Sequence, residues 1–318
     1  YRQIDGVIGN ILEVISDDTS VIVMSDHGGG PLHKVVYIDK LFCNLGLIRF
    51  KRTPITILKK VLLKSRIHVF AYSVLAKFGL NPRTWVPRGK RTKFQNVFLS
   101  SKDIDWKQTK AYTSGGFGQI SINLKGREPQ GCVDPADYEK LRDFITAKLY
   151  EIEDEETGVK VVDKVYKKEE IYHGDNLENL PDLLFRMKNY TYITSRALGL
   201  FEKRLMGRSQ FGPTGNSGAH SSEGIFIAKG GGIKGNFETN NARITDLAPT
   251  ILYMLGIPIP QDMDGKVLVD IFQEDFLRRH PITYQTPERE GRGENLNVYS
   301  PDEQKKVKEM LQSLGYLG

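Results

Sequence analysis

Apolar residues recur at Ile4, Val7, Ile8, Ile11, Leu12 and Ile15, the spacing of one helical face, and the polar stretch Ser16 to Ser20 separates them from the apolar run Val21-Ile-Val-Met24. The periodicity predicts a helix over 5–16 feeding a strand at Val21, buried on both faces of a parallel sheet. From Pro31 to about Ser101 the pattern changes to helical segments broken at Pro54 and at Asn81-Pro82, with apolar patches at 61–63 and 69–75. That stretch reads as an insertion. Strand-like alternation returns over Ala111 to Leu124 and breaks at Lys125-Gly126-Arg127. Asp134-Pro135 then opens a helix through Tyr138, Leu141, Phe144, Ile145 and Leu149, with proline near the first helical position. Further strands are predicted over 159–165, 181–185 and 224–228. Asp246 caps a helix to Leu255 that Gly256 and Pro258 end, and a polar tail from Pro281 carries a short helix over 302–314. The expected organisation is an α/β core from 1–30 and 106–280, a helical insertion or lid over 31–105, and a C-terminal tail over 281–318.

Chemistry concentrates where the first strand ends. Asp26 and His27 stand side by side, followed by Gly28, Gly29 and Gly30. A hard carboxylate oxygen beside a borderline imidazole nitrogen suits Zn²⁺ or Mn²⁺, and three glycines would let the backbone turn sharply. A strand-to-helix turn capped by Asp26 is the alternative, but a cap requires neither the histidine nor the glycines. A second histidine, His220, follows the glycine-rich stretch 211–219 and precedes the strand at 224. His33, His68, His173 and His280 lie outside any recognisable ligand spacing. Asp182 opens the strand at 181–185 and reads as a strand-initiating polar residue in preference to a ligand.

Three blocks in order resemble the alkaline phosphatase superfamily, in particular its type I phosphodiesterase/nucleotide pyrophosphatase-like branch: Ser25-Asp-His-Gly28, Ser217-Gly-Ala-His-Ser-Ser-Glu-Gly-Ile-Phe-Ile-Ala228 and Thr245-Asp-Leu-Ala-Pro-Thr250 with its continuation to Lys266. The resemblance implies an alkaline-phosphatase-like three-layer sandwich with a mostly parallel sheet and a helical insertion after the metal-binding strand. It implies two divalent ions, Zn²⁺ or Mn²⁺, with Asp26 and His27 at one and His220 at the other. Asn123, Lys125 and Arg127 sit in a block similar to one recurrent in this branch, and become candidates to hold an anionic phosphate-ester substrate, a plain hairpin with exposed charge being the alternative. The implied reaction is two-metal phosphoryl transfer. The family's Thr or Ser nucleophile and its Asp-x-x-x-His metal pair have no counterpart upstream of Asp26, so the expectation is a piece lacking the N-terminal part, inactive alone, with no catalytic nucleophile of its own. Thr113 or Ser114 would be suspected if the chain hydrolysed esters unaided. A sulfatase, a phosphomutase or a non-catalytic anion-binding fragment are the other readings.

Charge adds partners to this picture. The 318 residues carry a net charge of +6 with pI near 9.0, and basic residues crowd Arg49 to Arg52, Lys59-Lys60, Lys64 to Arg66 and Arg83 to Lys93. Phosphate esters or an acidic membrane surface suit such a face, against the plainer alternative of a solvated helix surface. Nucleic acid ranks last, because neither an aromatic-interleaved motif nor a helix-turn-helix pattern accompanies the charge. No run approaches the ~18 apolar residues of a membrane span. Two cysteines, Cys43 and Cys132, point to a reducing compartment and a cytoplasmic location, with any N-terminal signal out of view.

Overall fold

The computed structural model describes residues 2–16, 18–64, 99–113, 116–195, 204–208, 217–287, 300, 303 and 307. Much of the predicted lid, including Lys90, Arg91 and Lys93, and most of the predicted C-terminal helix lie outside them. The chain divides into two compact units, one formed by Tyr1–Met24 with Phe226–Gly318 and the other by Ser25–Ile225.

The first unit begins with α1 (Arg2–Val14) and β1 (Val21–Met24). Both elements occur where the periodicity predicts them, but their burial differs from expectation. β1 pairs antiparallel with β11 (Phe226–Lys229), and its side chains are only partly covered, Met24 being exposed. An apolar run reports a preference for burial and carries no information on the direction of the neighbouring strand. α1 buries none of its residues, so Ile4, Val7, Ile11 and Leu12 stand exposed among the described residues. The core of this unit is Tyr253, Ile259, Val267, Leu268, Ile271 and Phe272. It is closed by α5 (Leu247–Met254), α6 (Glu274–Arg279) and the short parallel pair β12 (Ile259–Pro260) and β13 (Tyr284–Gln285). Asp246 holds this region together: its carboxylate accepts the Arg243 and Lys266 backbone N–H groups, and Gly256 leaves α5 at φ +68°.

In the second unit β2 (Gly28–Pro31) pairs antiparallel with β10 (Gly218–Ser221), and β3 (Lys34–Val36) lies between β8 (Tyr192–Thr194), parallel, and β9 (Met206–Arg208), antiparallel. A four-stranded antiparallel sheet runs β4 (Ala111–Thr113), β5 (Gln119–Ile122), β7 (Leu183–Met187), β6 (Val162–Lys167). The alternation of β5 and β7 puts Ile120, Ile122, Leu183, Phe185 and Met187 inside, where α4 (Tyr138–Tyr150) adds Ile145 and Leu149. α2 (Ile38–Asn44) contributes Ile38 and Phe42 to the same core, with Val36, Leu47 and Ile48. Val36, Ile38, Phe42, Leu47 and Ile48 thus lie in the core; α3 (Pro54–Lys64) follows them in the chain. The chain is α/β as expected, but the described strands pair mostly antiparallel, so the mostly parallel sheet is not found among them. Short strands joined within one unit can pair by hairpins and local returns, which favours antiparallel ladders.

A buried carboxylate, Asp154, cross-links this unit. Asp154 accepts both Lys34 Nζ bonds at 2.7 and 2.8 Å and the Tyr192 hydroxyl at 2.6 Å, tying the turn after α4 to β3 and β8. Burial raises its affinity for a proton, but Lys34 and Tyr192 outweigh that and hold the carboxyl down at about 2, while burial beside Asp154 pushes the Tyr192 phenol up to about 12. A carboxyl displaced downward on folding stabilises the native state above its unfolded value near 4 and ceases to do so as pH falls through its folded value. About 2 kcal/mol of stability should thus vanish between about pH 4 and pH 2. Urea unfolding of Asp154→Asn should show a much flatter acid limb; an unchanged limb would remove Asp154 as its source.

A paired-histidine candidate site

The geometry at the end of β1 follows from close backbone approach. A Cβ on Gly28 would lie 1.7 Å from the Glu223 carbonyl oxygen, and one on Gly224 would lie 2.6 Å from Ser25 Oγ. Glycine at both positions lets the 25–28 segment lie directly against 221–225. Ser25 fixes the contact in both directions, its N–H donating to the Ile225 carbonyl at 3.1 Å and its Oγ accepting the Ile225 N–H at 2.9 Å. The expected sharp turn at Gly28 to Gly30 is instead an extended strand, and this strand sets Gly29 opposite His220 in the ladder.

That register brings Asp26, His27 and His220 together. The two Nδ1 atoms lie 3.1 Å apart and the rings meet edge to face with centroids at 4.1 Å. Asp26 approaches the other nitrogen, Oδ2 lying 3.4 Å from His27 Nε2, while Oδ1 accepts the His27 backbone N–H at 3.0 Å. His27 Nδ1 is also 3.0 Å from the Gly28 carbonyl. A carbonyl only accepts, so the hydrogen-bond network assigns the proton to His27 Nδ1, with His220 Nδ1 as acceptor. The Phe117 ring packs edgewise on His220 at 5.1 Å, a neighbour that nothing in the sequence announces. The imidazoles of His27 and His220, expected at two different ions, thus lie side by side.

The donors fit part of a metal site. Two nitrogens bound to one tetrahedral Zn²⁺ at about 2.0–2.1 Å stand roughly 3.3 Å apart, close to the separation found here. The fit is partial, because no group of three or more His, Cys, Asp or Glu side chains disposed to hold a metal occurs among the described residues.

The three expected anion-binding residues are engaged within the fold. Asn123 is buried, and its amide donates to the carbonyls of Trp106, Thr109 and Gln130. Arg127 forks onto Asp182 with two 2.7 Å bonds and reaches the Ile122 carbonyl. Lys125 pairs with Asp134 at 2.7 Å in solvent. Asp182, read from sequence as a strand-initiating residue, is a fully buried hub that also takes the Tyr138 hydroxyl and the Ile122 N–H at 2.6 Å, with Lys168 at 3.3 Å. Thr113 donates to Asp39 at 2.8 Å, and burial pushes that carboxyl upward. Ser114 lies outside the described residues.

The family model described as type I phosphodiesterase / nucleotide pyrophosphatase matches residues 1–211, which include Asp26 and His27 and stop short of His220. The chain belongs to that family. The match agrees with the alkaline phosphatase superfamily branch indicated by the Asp-His-Gly block, and with phosphoric ester hydrolysis as the family's chemistry. No curated protein and no solved structure matches the chain.

Proposed function

We propose that Asp26, His27 and His220 form the part of a divalent-metal centre through which this family member cleaves phosphodiester or pyrophosphate bonds. The supporting observation is the 3.1 Å approach of His27 Nδ1 to His220 Nδ1 across the β2–β10 ladder. Zn²⁺ or Mn²⁺ suits two imidazole nitrogens beside a carboxylate, and such an ion, when bound, neutralises charge developing on phosphoryl oxygens. His27 and His220 would present their nitrogens toward one point, which requires the proton on His27 Nδ1 to leave. Asp26, at the far nitrogen of His27, fixes the orientation of that ring. The substrate on this reading is an anionic phosphate ester, consistent with the family and with the net charge of +6. The hydrogen bonds of Asn123 and Arg127 hold the loop after β5.

Calorimetric titration of the purified protein with Zn²⁺ tests the reading. His27→Ala and His220→Ala should each weaken binding at least a hundredfold, and Asp26→Asn by a smaller factor of about tenfold, at the lower end of the range for groups that orient a ligand. A methylphosphonate ester should bind only to the metal-loaded protein. Zn²⁺ binding that neither histidine variant alters would dispose of the paired-histidine centre.

A further inference from the structure

From Lys40 to Lys102 the sequence contains fifteen Lys and Arg and no Asp or Glu, although the whole chain has a net charge of only +6. α3 lies in this acid-free stretch. Two of its residues turn inward: Thr56 is buried and donates to Asp103 Oδ1 at 3.2 Å, and the Lys59 ammonium reaches both Asp103 oxygens at 3.0 and 2.9 Å. Burial works against the Asp103 charge, but Lys59 and the Ser100 N–H hold the carboxyl below its ordinary range. The outward face is aliphatic, with Ile55 66%, Ile57 51%, Leu58 58% and Val61 59% exposed. These positions are related by three and four residues and form one stripe. Exposed Lys51, Arg52 and Lys60 border it, Lys51 also donating to the Lys102 carbonyl at 2.8 Å and Lys60 lying 4.6 Å above the Phe50 ring.

A surface helix of a water-soluble domain turns its apolar side inward. An aliphatic stripe turned outward with a cationic border, in a stretch of sequence without Asp or Glu, matches a helix lying in the plane of a bilayer: aliphatic side chains enter the acyl boundary and Lys and Arg meet lipid phosphates. We propose that α3 is an interfacial anchor that docks the protein on an anionic lipid bilayer, through Ile55, Ile57, Leu58 and Val61 with Lys51 and Arg52 at the headgroups. No described helix is long and apolar enough to cross a membrane, so the helix lies on the surface. Nucleic acid would use the cations but leave four aliphatic side chains in water. The inference is independent of the paired-histidine centre.

Co-sedimentation of the full chain with phosphatidylcholine vesicles, with and without one-fifth phosphatidylserine, tests this. Partition into the anionic vesicles should exceed that into the neutral ones by at least tenfold. The variant I57S/L58S/V61S should lower it about tenfold or more with an unchanged melting temperature, and K51A/R52A should lower it by about fivefold for each cation removed. Three results would each overturn the anchor. One is absence of partition into anionic vesicles, or equal partition into neutral ones. The second is a melting temperature several degrees lower in the triple serine variant, which would mean that the chain itself covers the stripe. The third is binding lost in K51A/R52A but intact in I57S/L58S/V61S, which would mark a purely electrostatic surface suited to nucleic acid.

Discussion

Asp182→Ala is expected to destabilise the Ser25–Ile225 unit by about 3–5 kcal/mol, the cost of leaving buried cations without their counter-charge. Asp182 is fully buried, and one carboxylate satisfies the Arg127 fork, the Tyr138 hydroxyl and the Ile122 N–H, with Lys168 close by. Removing it strands a guanidinium and a hydroxyl at the junction of β5, β7 and α4. Arg142 would be affected in turn, since it donates to the Tyr138 hydroxyl at 3.0 Å while forking onto Glu169. Burial opposes the Asp182 charge, but Arg127, Tyr138 and the Ile122 N–H prevail and keep the carboxyl below its ordinary range. Its stabilisation is therefore complete above about pH 4 and declines as acid protonates it, in the same direction as that of Asp154. The double change D182L/R127M, which removes one charge from each side, should recover only part of the loss, because the Tyr138 hydroxyl, the Ile122 N–H and Lys168 still lack the carboxylate. An unfolding free energy from urea titration of Asp182→Ala within about 1 kcal/mol of the wild type would show that the hub contributes little.

Gly28→Ala should abolish the convergence of the two histidines, whereas Gly29→Ala, one residue on, should leave it intact. At Gly28 the added carbon would lie 1.7 Å from the Glu223 carbonyl oxygen, a backbone atom that cannot swing aside. At Gly29 nothing lies within 4 Å. Either the 25–28 segment or the 221–225 segment must then move by more than an ångström, and ligand positions tolerate only about 0.5 Å. Zn²⁺ affinity should fall about tenfold to a hundredfold in Gly28→Ala and less than about threefold in Gly29→Ala. Proton NMR gives a metal-free readout: the contact between the His27 and His220 rings should disappear only in the first variant. Equal behaviour of the two variants would refute the role given to the 28/223 contact.

Local order was legible along the chain wherever the pattern was periodic. The stripe from Ile4 to Ile15 specified α1, the run at Val21 specified β1, and the Asp246 cap with Gly256 bounded α5 to within a residue or two. Periodicity reports which face seeks cover, and it does not say what provides it. For that reason α1 is a helix as read, while its stripe stays exposed among the described residues. Likewise α3 is helical as the break at Pro54 suggested, yet Thr56 and Lys59 face Asp103 and its aliphatic stripe faces out.

The candidate site divides in the same way. Residue types singled out Asp26 and His27, a carboxylate and an imidazole followed by three glycines, and the resemblance to the alkaline phosphatase superfamily added His220. Tertiary structure decided that the histidines face each other, since only the β2–β10 register sets residue 220 beside residue 29 across 191 positions of chain. It also decided the roles of Asn123, Arg127 and Asp182. A loop arginine reads as an anion-binding fork from sequence, and the anion it holds proved to be a carboxylate 55 residues away. Sequence determines what a side chain can bind; which partner it meets depends on contacts between segments far apart in the chain, and those exist only once the core has formed.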